Sequence, residues 1–544
     1  MPAFHPCGSL VQCGTDALKH LASSTLSRLV LFLATVASLA AATPSRAIEP
    51  GPVYVLLWFD TEDYLLPADD DATLRLARLL SERGIRATFK VVGEKARVIE
   101  RRGRQDVIAA LANHAIGYHS DLHSVHPTPT EYLAYCGLSD GMAEFVRREA
   151  SGAADVRRIF SRDTLVCYGQ PGSSWGAQAM AALPQIGVAP DGVPCYVDDG
   201  DHVGLGAQPF WFAGVLTVYQ MGPNVTRMDL HDPAAVEPAK EKVGQIAGRL
   251  RGEGGGLISI YYHPCEWVHR EFWDGVNFRR GANPPREQWR PPPQLPPEET
   301  DAAFARFGQY VDAIRAIPGI RFVTAGDLPH LYPDRLRTEG ATTNDLARIA
   351  STLAAATKGI DIIADDRRAF SLADQFDLLG SALADLVEGK TPPPVERTLG
   401  LLGPDSPAPI SRQAGEISWF TFRDALRDTI GFVRTNKRVP ARVFLGPDAV
   451  PPEEFLIVMA RVYESYAKVG RLPVGQSIPW TSGIEVLPAR HVAADTPGLF
   501  GGWIIHKEGF RAPKVMEVAR LQAWTLKPAI RVDDPAAAVH AAAR

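Results

Sequence analysis

The chain has 544 residues, of which 46% are hydrophobic and 22% are charged, a balance typical of soluble globular proteins. Its formal net charge of -5 gives no basic surface, which argues against nucleic acid as a partner. The length allows roughly one to four domains with a sizeable hydrophobic core.

The amino terminus has the features of a secretory signal peptide. Basic residues precede the apolar run 29–42, which is too short to span a bilayer comfortably and is followed by small residues. We expect residues 1–47 to be a signal peptide, with cleavage after Ala42 or Ala47; the alternative is an uncleaved anchor. The remainder is predicted to be secreted or periplasmic, and the mature chain is predicted to contain no membrane span.

Apolar runs alternate with helical patterns after residue 50. The continuous apolar run 53–59 is typical of a buried parallel strand, and the leucine spacing at 72–80 predicts a helix. Further strands are predicted at 87–92, 115–118, 257–262 and 320–324. Alternation of this kind predicts an α/β fold with a parallel sheet or barrel.

The chain changes character after Pro333. The stretches 376–405 and 422–448 each combine an amphipathic helix, a lysine, prolines and a short strand, and each ends in Leu-Gly-Pro-Asp. We therefore place domains at 48–335 and 336–544, and we predict that the second is a mostly helical region of small tandem modules. Chance recurrence of helix-turn-strand units is the alternative.

Three polar clusters follow predicted strands, where α/β sheets and barrels place their sites. Residues 60–63 contain three carboxylates, which repel one another unless a cation lies among them. His119 and His123 can bind one metal ion if the segment turns once after its strand. His263 ends another strand, where an imidazole can serve as a general acid. Each pattern alone also fits a purely structural role, so the prediction of a metal-dependent site depends on the three patterns together.

In this order the clusters resemble the motifs of the polysaccharide deacetylase family, the NodB-homology carbohydrate esterases. The resemblance spans residues 51 to about 333. It implies a distorted (β/α) barrel and hydrolysis of N-acetyl groups on a polysaccharide or cell-wall glycan. Imidazole and carboxylate ligands suit Zn²⁺, and also Co²⁺, Fe²⁺ or Ni²⁺.

The resemblance also implies roles for individual residues. The site would consist of the base Asp60, the general acid His263, and the metal ligands His119, His123 and either Glu62 or Asp63. The substrate contacts would be Pro171, Trp175, Tyr261 and Trp267. Their rings can stack on sugar faces, although buried core positions are the alternative for most of them.

One position departs from the family pattern. The third motif normally has an arginine two residues before a proline, where it orients the base, and here Gly169 precedes Pro171 in that way. The orientation of Asp60 is then less controlled unless Arg162, Gln170 or another residue substitutes. A catalytically silent carbohydrate-binding relic is therefore the second hypothesis, and a metal hydrolase of another amide or ester is the third.

Two features lie outside this site. Residues 422–455 loosely resemble pseudomurein-binding repeats, which are short wall-binding modules that would tether the enzyme to a glycan wall. The cysteines beyond the leader show no zinc-site spacing, and we expect structural disulfides or buried thiols. They are Cys136, Cys167, Cys195 and Cys265.

Overall fold

The computed structural model describes residues 51–410 and 414–532. The predicted signal peptide at 1–47 lies outside these residues. The strands and helices up to residue 340 are β1 Val53–Thr61, α1 Pro67–Glu82, β2 Thr88–Val91, α2 Gly93–Arg101, α3 Gln105–Leu111, β3 Ala115–Tyr118, α4 Pro129–Leu133, α5 Leu138–Ile159, α6 Ala177–Ala182, β4 Cys195–Val197, β5 Phe210–Phe212, β6 Val215–Val218, α7 Val236–Gly252, β7 Gly256–Tyr262, α8 Trp273–Asn277, α9 Pro297–Arg315, β8 Ile320–Val323, α10 Leu328–Leu331 and α11 Arg335–Glu339.

The remaining elements follow without a long break. They are β9 Ala341–Thr342, α12 Thr343–Ala354, β10 Gly359–Ile360, β11 Ile363–Ala364, β12 Ala369–Phe370, α13 Leu372–Val387, β13 Val395–Glu396, β14 Gly415–Ser418, α14 Trp419–Asn436, β15 Val443–Leu445, β16 Asp448–Val450, α15 Pro452–Val469, β17 Ser477–Trp480, β18 Glu485–Val486, α16 Pro497–Gly501, α17 Pro513–Gln522 and β19 Lys527–Pro528. Across residues 51–410 and 414–532, none of these helices is long and apolar enough to cross a membrane.

A parallel sheet lies at the centre of the first part of the chain. Its strands run in the order β3-β2-β1-β7, and β8 pairs with the first half of β1. Every residue of β1 is buried, as expected for a parallel strand covered on both faces. The predicted α/β class is therefore confirmed.

A second group of strands continues from this sheet. Strands β4, β5, β6 and β19 pair with one another, and Tyr168 bridges Tyr118 of β3 to Tyr196 of β4. The extended backbone thus runs beyond β3 into the second group. Closure into a distorted barrel stays a prediction.

The strand register brings the predicted site residues to one edge of the sheet. Asp60 pairs with Lys90 on β2, and Lys90 pairs in turn with Gly117 on β3. On the other side Phe59 pairs with Tyr262, so the residue after β7 lies close to the end of β1. Since the strands are parallel, their carboxyl ends all meet at this edge.

Residues 336–486 supply most of a second hydrophobic core, which also contains Trp524 and on which helices α12 to α15 pack. The two Leu-Gly-Pro-Asp tetrapeptides differ in structure: Leu445–Asp448 connects the hairpin strands β15 and β16, whereas Leu402 bridges Arg438. The region is rich in helices, and its division into tandem modules stays a prediction.

The chain then returns to the first core. Side chains between residues 492 and 526, including those of α17, are buried in the core that contains β1 and β2. A domain boundary at residue 335 would therefore separate these side chains from the core in which they are buried. The division into domains stays a prediction. The structure favours a first domain whose hydrophobic core includes side chains from residues 492–526.

The four cysteines in the described residues, Cys136, Cys167, Cys195 and Cys265, are free thiols, and three of them are buried. The disulfide alternative is therefore wrong for this structure, and the buried-thiol alternative holds for all but the half-buried Cys136.

We predict that a chain ending at residue 486 is unstable. Val515, Met516, Val518 and Leu526 are fully buried, and burying each contributes about 1.5–3 kcal/mol. Together they approach the whole stability of a typical protein, about 5–15 kcal/mol. Thermal unfolding and soluble yield measure the effect. A truncated chain with the midpoint of the full chain would contradict the shared core.

Candidate metal centre

A cavity of about 560 Å³ opens at the edge where the parallel strands end. Asp60, Glu62, His119, His123 and His263 all line it. The structure therefore brings together the residues from all three sequence clusters.

Three of these residues form a group that fits a metal ion. The ligand atoms of Glu62, His119 and His123 lie within 4.8 Å of one another, and all three side chains are buried. His123 Nε2 is 2.9 Å from Glu62 Oε2, and His119 Nε2 is 3.5 Å from the same oxygen. The contact between His123 Nε2 and Glu62 does not have the geometry of a hydrogen bond, so this buried nitrogen is available to a metal ion.

The first histidine is held by the neighbouring segment that contains Gly169. His119 Nδ1 lies 3.0 Å from the carbonyl oxygen of Gly169 and donates its proton there, which leaves Nε2 as the free ligand atom. Burial lowers the pKa of His119, so the imidazole stays neutral and able to bind a metal.

The second histidine follows a tight turn rather than a helical one. Ser120 and His123 have positive φ angles of 64° and 57°, and Ser120 Oγ accepts a hydrogen bond from the His123 amide at 3.1 Å. Non-glycine residues rarely adopt this backbone conformation, and it is found most often where function requires it. Here it turns the imidazole of His123 back toward that of His119.

The structure distinguishes between the two candidate carboxylate ligands. Burial opposes the charge of Glu62, but the charges of His123 and His263 outweigh it and hold the pKa of Glu62 well below its usual range. Asp63 lies outside the group: its Oδ2 is 3.0 Å from His269 Nδ1, and its Oδ1 accepts the amide of Leu65. Glu62, and not Asp63, therefore belongs to the group that could hold a metal ion.

The predicted base and acid face each other across the cavity. Asp60 Oδ2 is 3.7 Å from His263 Nε2, and His263 Nδ1 is 2.7 Å from Glu266 Oε1. Burial disfavours the imidazolium, but Glu62, Glu266 and Asp60 outweigh it and raise the pKa of His263 to about 9. The ring thus carries a proton at neutral pH, as a general acid requires.

Of the predicted substrate contacts, only Tyr261 lines the cavity. Trp175 stacks on His202, and Trp267 packs among phenylalanine rings, with exposed fractions of 1% and 0%. Pro171 is buried beside the cavity without lining it. In this structure Trp175, Trp267 and Pro171 fill the interior, whereas the sequence prediction placed them against the substrate.

Sequence reasoning missed several residues of the site. Trp503 and Ile504 line the cavity from the returning C-terminal segment, with Arg227 from a loop and Asp274 from helix α8. No local pattern marks a residue that reaches the site from so far along the chain. Lys90 was detectable, because a lysine inside an apolar strand needs a buried anionic partner.

Geometry and burial thus give a group of two histidines and a carboxylate that could hold a metal ion, with Asp60 and His263 beside it. No family model matches the sequence, and no curated protein matches it. Solved structures match about half of the chain. A putative polysaccharide deacetylase from Mycobacterium smegmatis is 13% identical over 52% of this chain and 90% of its own, with a TM-score of 0.33.

Two further structures give a similar result. A family 4 carbohydrate esterase from Streptomyces lividans, in complex with acetate, is 16% identical over 50% of this chain and 91% of its own, with a TM-score of 0.26. A family 4 acetyl xylan esterase from Clostridium thermocellum, in complex with a cobalt ion, is 15% identical over 51% and 90%, with a TM-score of 0.27. At such scores the function has to be inferred from the site itself.

We predict that Glu62→Gln weakens zinc binding and that Asp63→Asn does not. Loss of a direct ligand should lower the affinity by at least about 10- to 100-fold, the range seen even for outer partners of metal ligands. Isothermal titration of the metal-free proteins with Zn²⁺, after thermal unfolding has shown that both variants fold, measures the difference. The opposite order would make Asp63 the ligand.

Proposed function

We propose that the protein is an exported, metal-dependent deacetylase that hydrolyses N-acetyl groups of a polysaccharide or cell-wall glycan. The observation that carries the proposal is the placement of Asp60 and His263 on one cavity with the metal-binding group. Amide hydrolysis needs a base for the attacking water and an acid for the leaving amine, and this arrangement offers both.

The site residues divide the reaction between them. A divalent ion held by Glu62, His119 and His123 would polarise the acetyl carbonyl and a water molecule, with Zn²⁺ our first choice and Co²⁺, Fe²⁺ or Ni²⁺ as alternatives. Asp60 takes a proton from the water as its oxygen adds to the carbonyl carbon. His263 gives its Nε2 proton to the amine nitrogen as the C–N bond breaks, and the products are acetate and a free amine.

The cavity wall supports a sugar substrate. Its volume is within the range of small-molecule sites, roughly 300–1,000 Å³. Tyr261, Phe272 and Trp503 present aromatic surface, and Asp199 and Asp274 offer oxygen acceptors. Aromatic faces with hydrogen-bonding groups between them suit a ring that has apolar faces and polar hydroxyl edges.

Export and attachment to a wall belong to the same proposal. The apolar run 29–42 supports a secreted or periplasmic location, and the likeness of 422–455 to wall-binding repeats supports a glycan partner. An exported enzyme would meet its polymer outside the cytoplasm.

We expect the purified protein to release acetate from at least one of chitooligosaccharides, peptidoglycan and other acetylated glycans when Zn²⁺ or Co²⁺ is supplied. Asp60→Asn should lower kcat by about 10²- to 10⁴-fold, because it removes the general base but keeps the shape of the side chain. Asp232→Asn, an exposed change in a loop, is the matched control.

If none of these glycans releases acetate although metal is shown to be bound, the proposed deacetylase activity is wrong. The catalytically silent carbohydrate-binding protein is then favoured. Release from a simple ester or another amide, but from no glycan, would favour the third hypothesis.

We predict that Glu266→Gln moves the alkaline limb of the kcat profile to lower pH. His263 must be protonated to act, so activity is present below its pKa and is lost as pH rises through it. Glu266 helps to raise that pKa to about 9, so removing its charge lowers the pKa. Steady-state kinetics across the alkaline range checks this, with the exposed Glu299→Gln as control. An unmoved limb would mean that His263 is not the acid.

A further inference from the structure

Building on the proposed function, we propose that Lys90 is the positioning residue for the base, and that it holds Asp60 Oδ1 so that Oδ2 faces the cavity. It would take the place of a cation delivered from position 169.

Lys90 is a fully buried cation with oxygen atoms on several sides. Its Nζ lies 2.8 Å from Asp60 Oδ1, and it donates hydrogen bonds to Asp198 Oδ2 at 3.2 Å and to the Val197 carbonyl at 2.9 Å. The ammonium also lies 4.0 Å from the centre of the Trp58 ring. Burial opposes the charge, but Asp198 and Asp60 outweigh it and raise the pKa of Lys90, so the side chain stays charged.

The two oxygens of Asp60 have different surroundings. Oδ1 faces Lys90 and lies 3.4 Å from His119 Nδ1, whereas Oδ2 lies 3.7 Å from His263 Nε2. A carboxylate held through one oxygen has little freedom to rotate. The other oxygen is then aimed at the place where the attacking water and the acid must meet.

Position 169 is occupied by glycine because the lysine needs its space. A Cβ built on Gly169 would lie 2.0 Å from Lys90 Nζ and 2.8 Å from Asp198 Oδ2. Any larger residue at 169 would have to displace the ammonium, so the glycine and the lysine form a matched pair. Lys90 lies on β2, directly opposite Asp60 on the neighbouring strand β1.

A direct chemical role for Lys90 does not fit its surroundings. It is not among the residues that line the cavity, and its exposed fraction is 0%. It therefore has no path to substrate as a nucleophile or proton donor. It reaches the cavity only through the carboxylates of Asp60 and Asp198, of which Asp60 is the proposed base.

The test compares Lys90→Met with Lys527→Met. Lys527 is also buried and also pairs with two aspartates, Asp334 and Asp374, but it lies away from the cavity, so it controls for the loss of a buried cation. Thermal unfolding, zinc content, kcat and KM are measured on the full chains. If Lys90→Met does not fold, Lys90→Met/Asp198→Asn is used, because it leaves one buried carboxylate fewer without a partner.

We expect Lys90→Met to lower kcat by about 100-fold, as a misplaced catalytic group does. KM, zinc content and the crystal structure outside the Asp60 side chain should stay close to those of the wild type. Lys527→Met should lose stability while keeping its kcat. A kcat for Lys90→Met equal to that of Lys527→Met would overturn the proposal, and so would a loss of zinc that accounts for the lower rate.

The crystal structure of Lys90→Met separates this proposal from the proposed function. If the wild type releases no acetate, the proposed deacetylase activity is wrong. The positioning role of Lys90 is then tested only by the conformation of Asp60 in the variant. A rotated Asp60 carboxylate supports the positioning role. An Asp60 that keeps its contacts with His119 and His263 in the variant contradicts it.

Discussion

Three carboxylates lie within four residues at the end of strand β1, all of them buried, and a buried charge is costly unless it has a partner. Asp60 is paired with Lys90, Asp63 with His269, and Glu62 with the two histidines that would share a metal ion. Each of these partners comes from a different part of the chain. The fold of this edge of the sheet therefore depends on satisfying three negative charges in different ways.

The contacts of the three carboxylates show how the charges are separated. Asp60 lies on β1, whereas Glu62 and Asp63 follow its last residue. Asp60 and Glu62 reach the cavity, while Asp63 is directed to His269. Asp60 is paired with the fixed cation of Lys90, and under the proposed function Glu62 would bind an exchangeable metal ion. This short segment would then supply both a base and a metal ligand.

The parallel strands and the three polar clusters could be predicted because their patterns are local. The apolar run at β1 and the histidine spacing report directly on buried strands and on a shared ligand site. Lys90 could also have been found, since its place in an apolar strand required an anionic neighbour.

Other features depend on contacts that the sequence does not reveal. Trp175 and Trp267 carry the same ring types as a sugar platform, and only packing shows that both lie in the interior. Trp503 reaches the cavity because the chain returns to the first core after residue 490. The boundary at residue 335 was drawn from a change in composition. Such a change shows where a sequence pattern ends, but it does not show where a hydrophobic core is complete.

If Glu62, His119 and His123 bind one divalent ion in this cavity, X-ray absorption spectroscopy of the full chain loaded with one equivalent of zinc will show these ligands. We expect two imidazole nitrogens and a carboxylate oxygen bound to the zinc, at about 2.0–2.2 Å. A shell with fewer than two imidazoles, or with sulfur at about 2.3 Å, would contradict it.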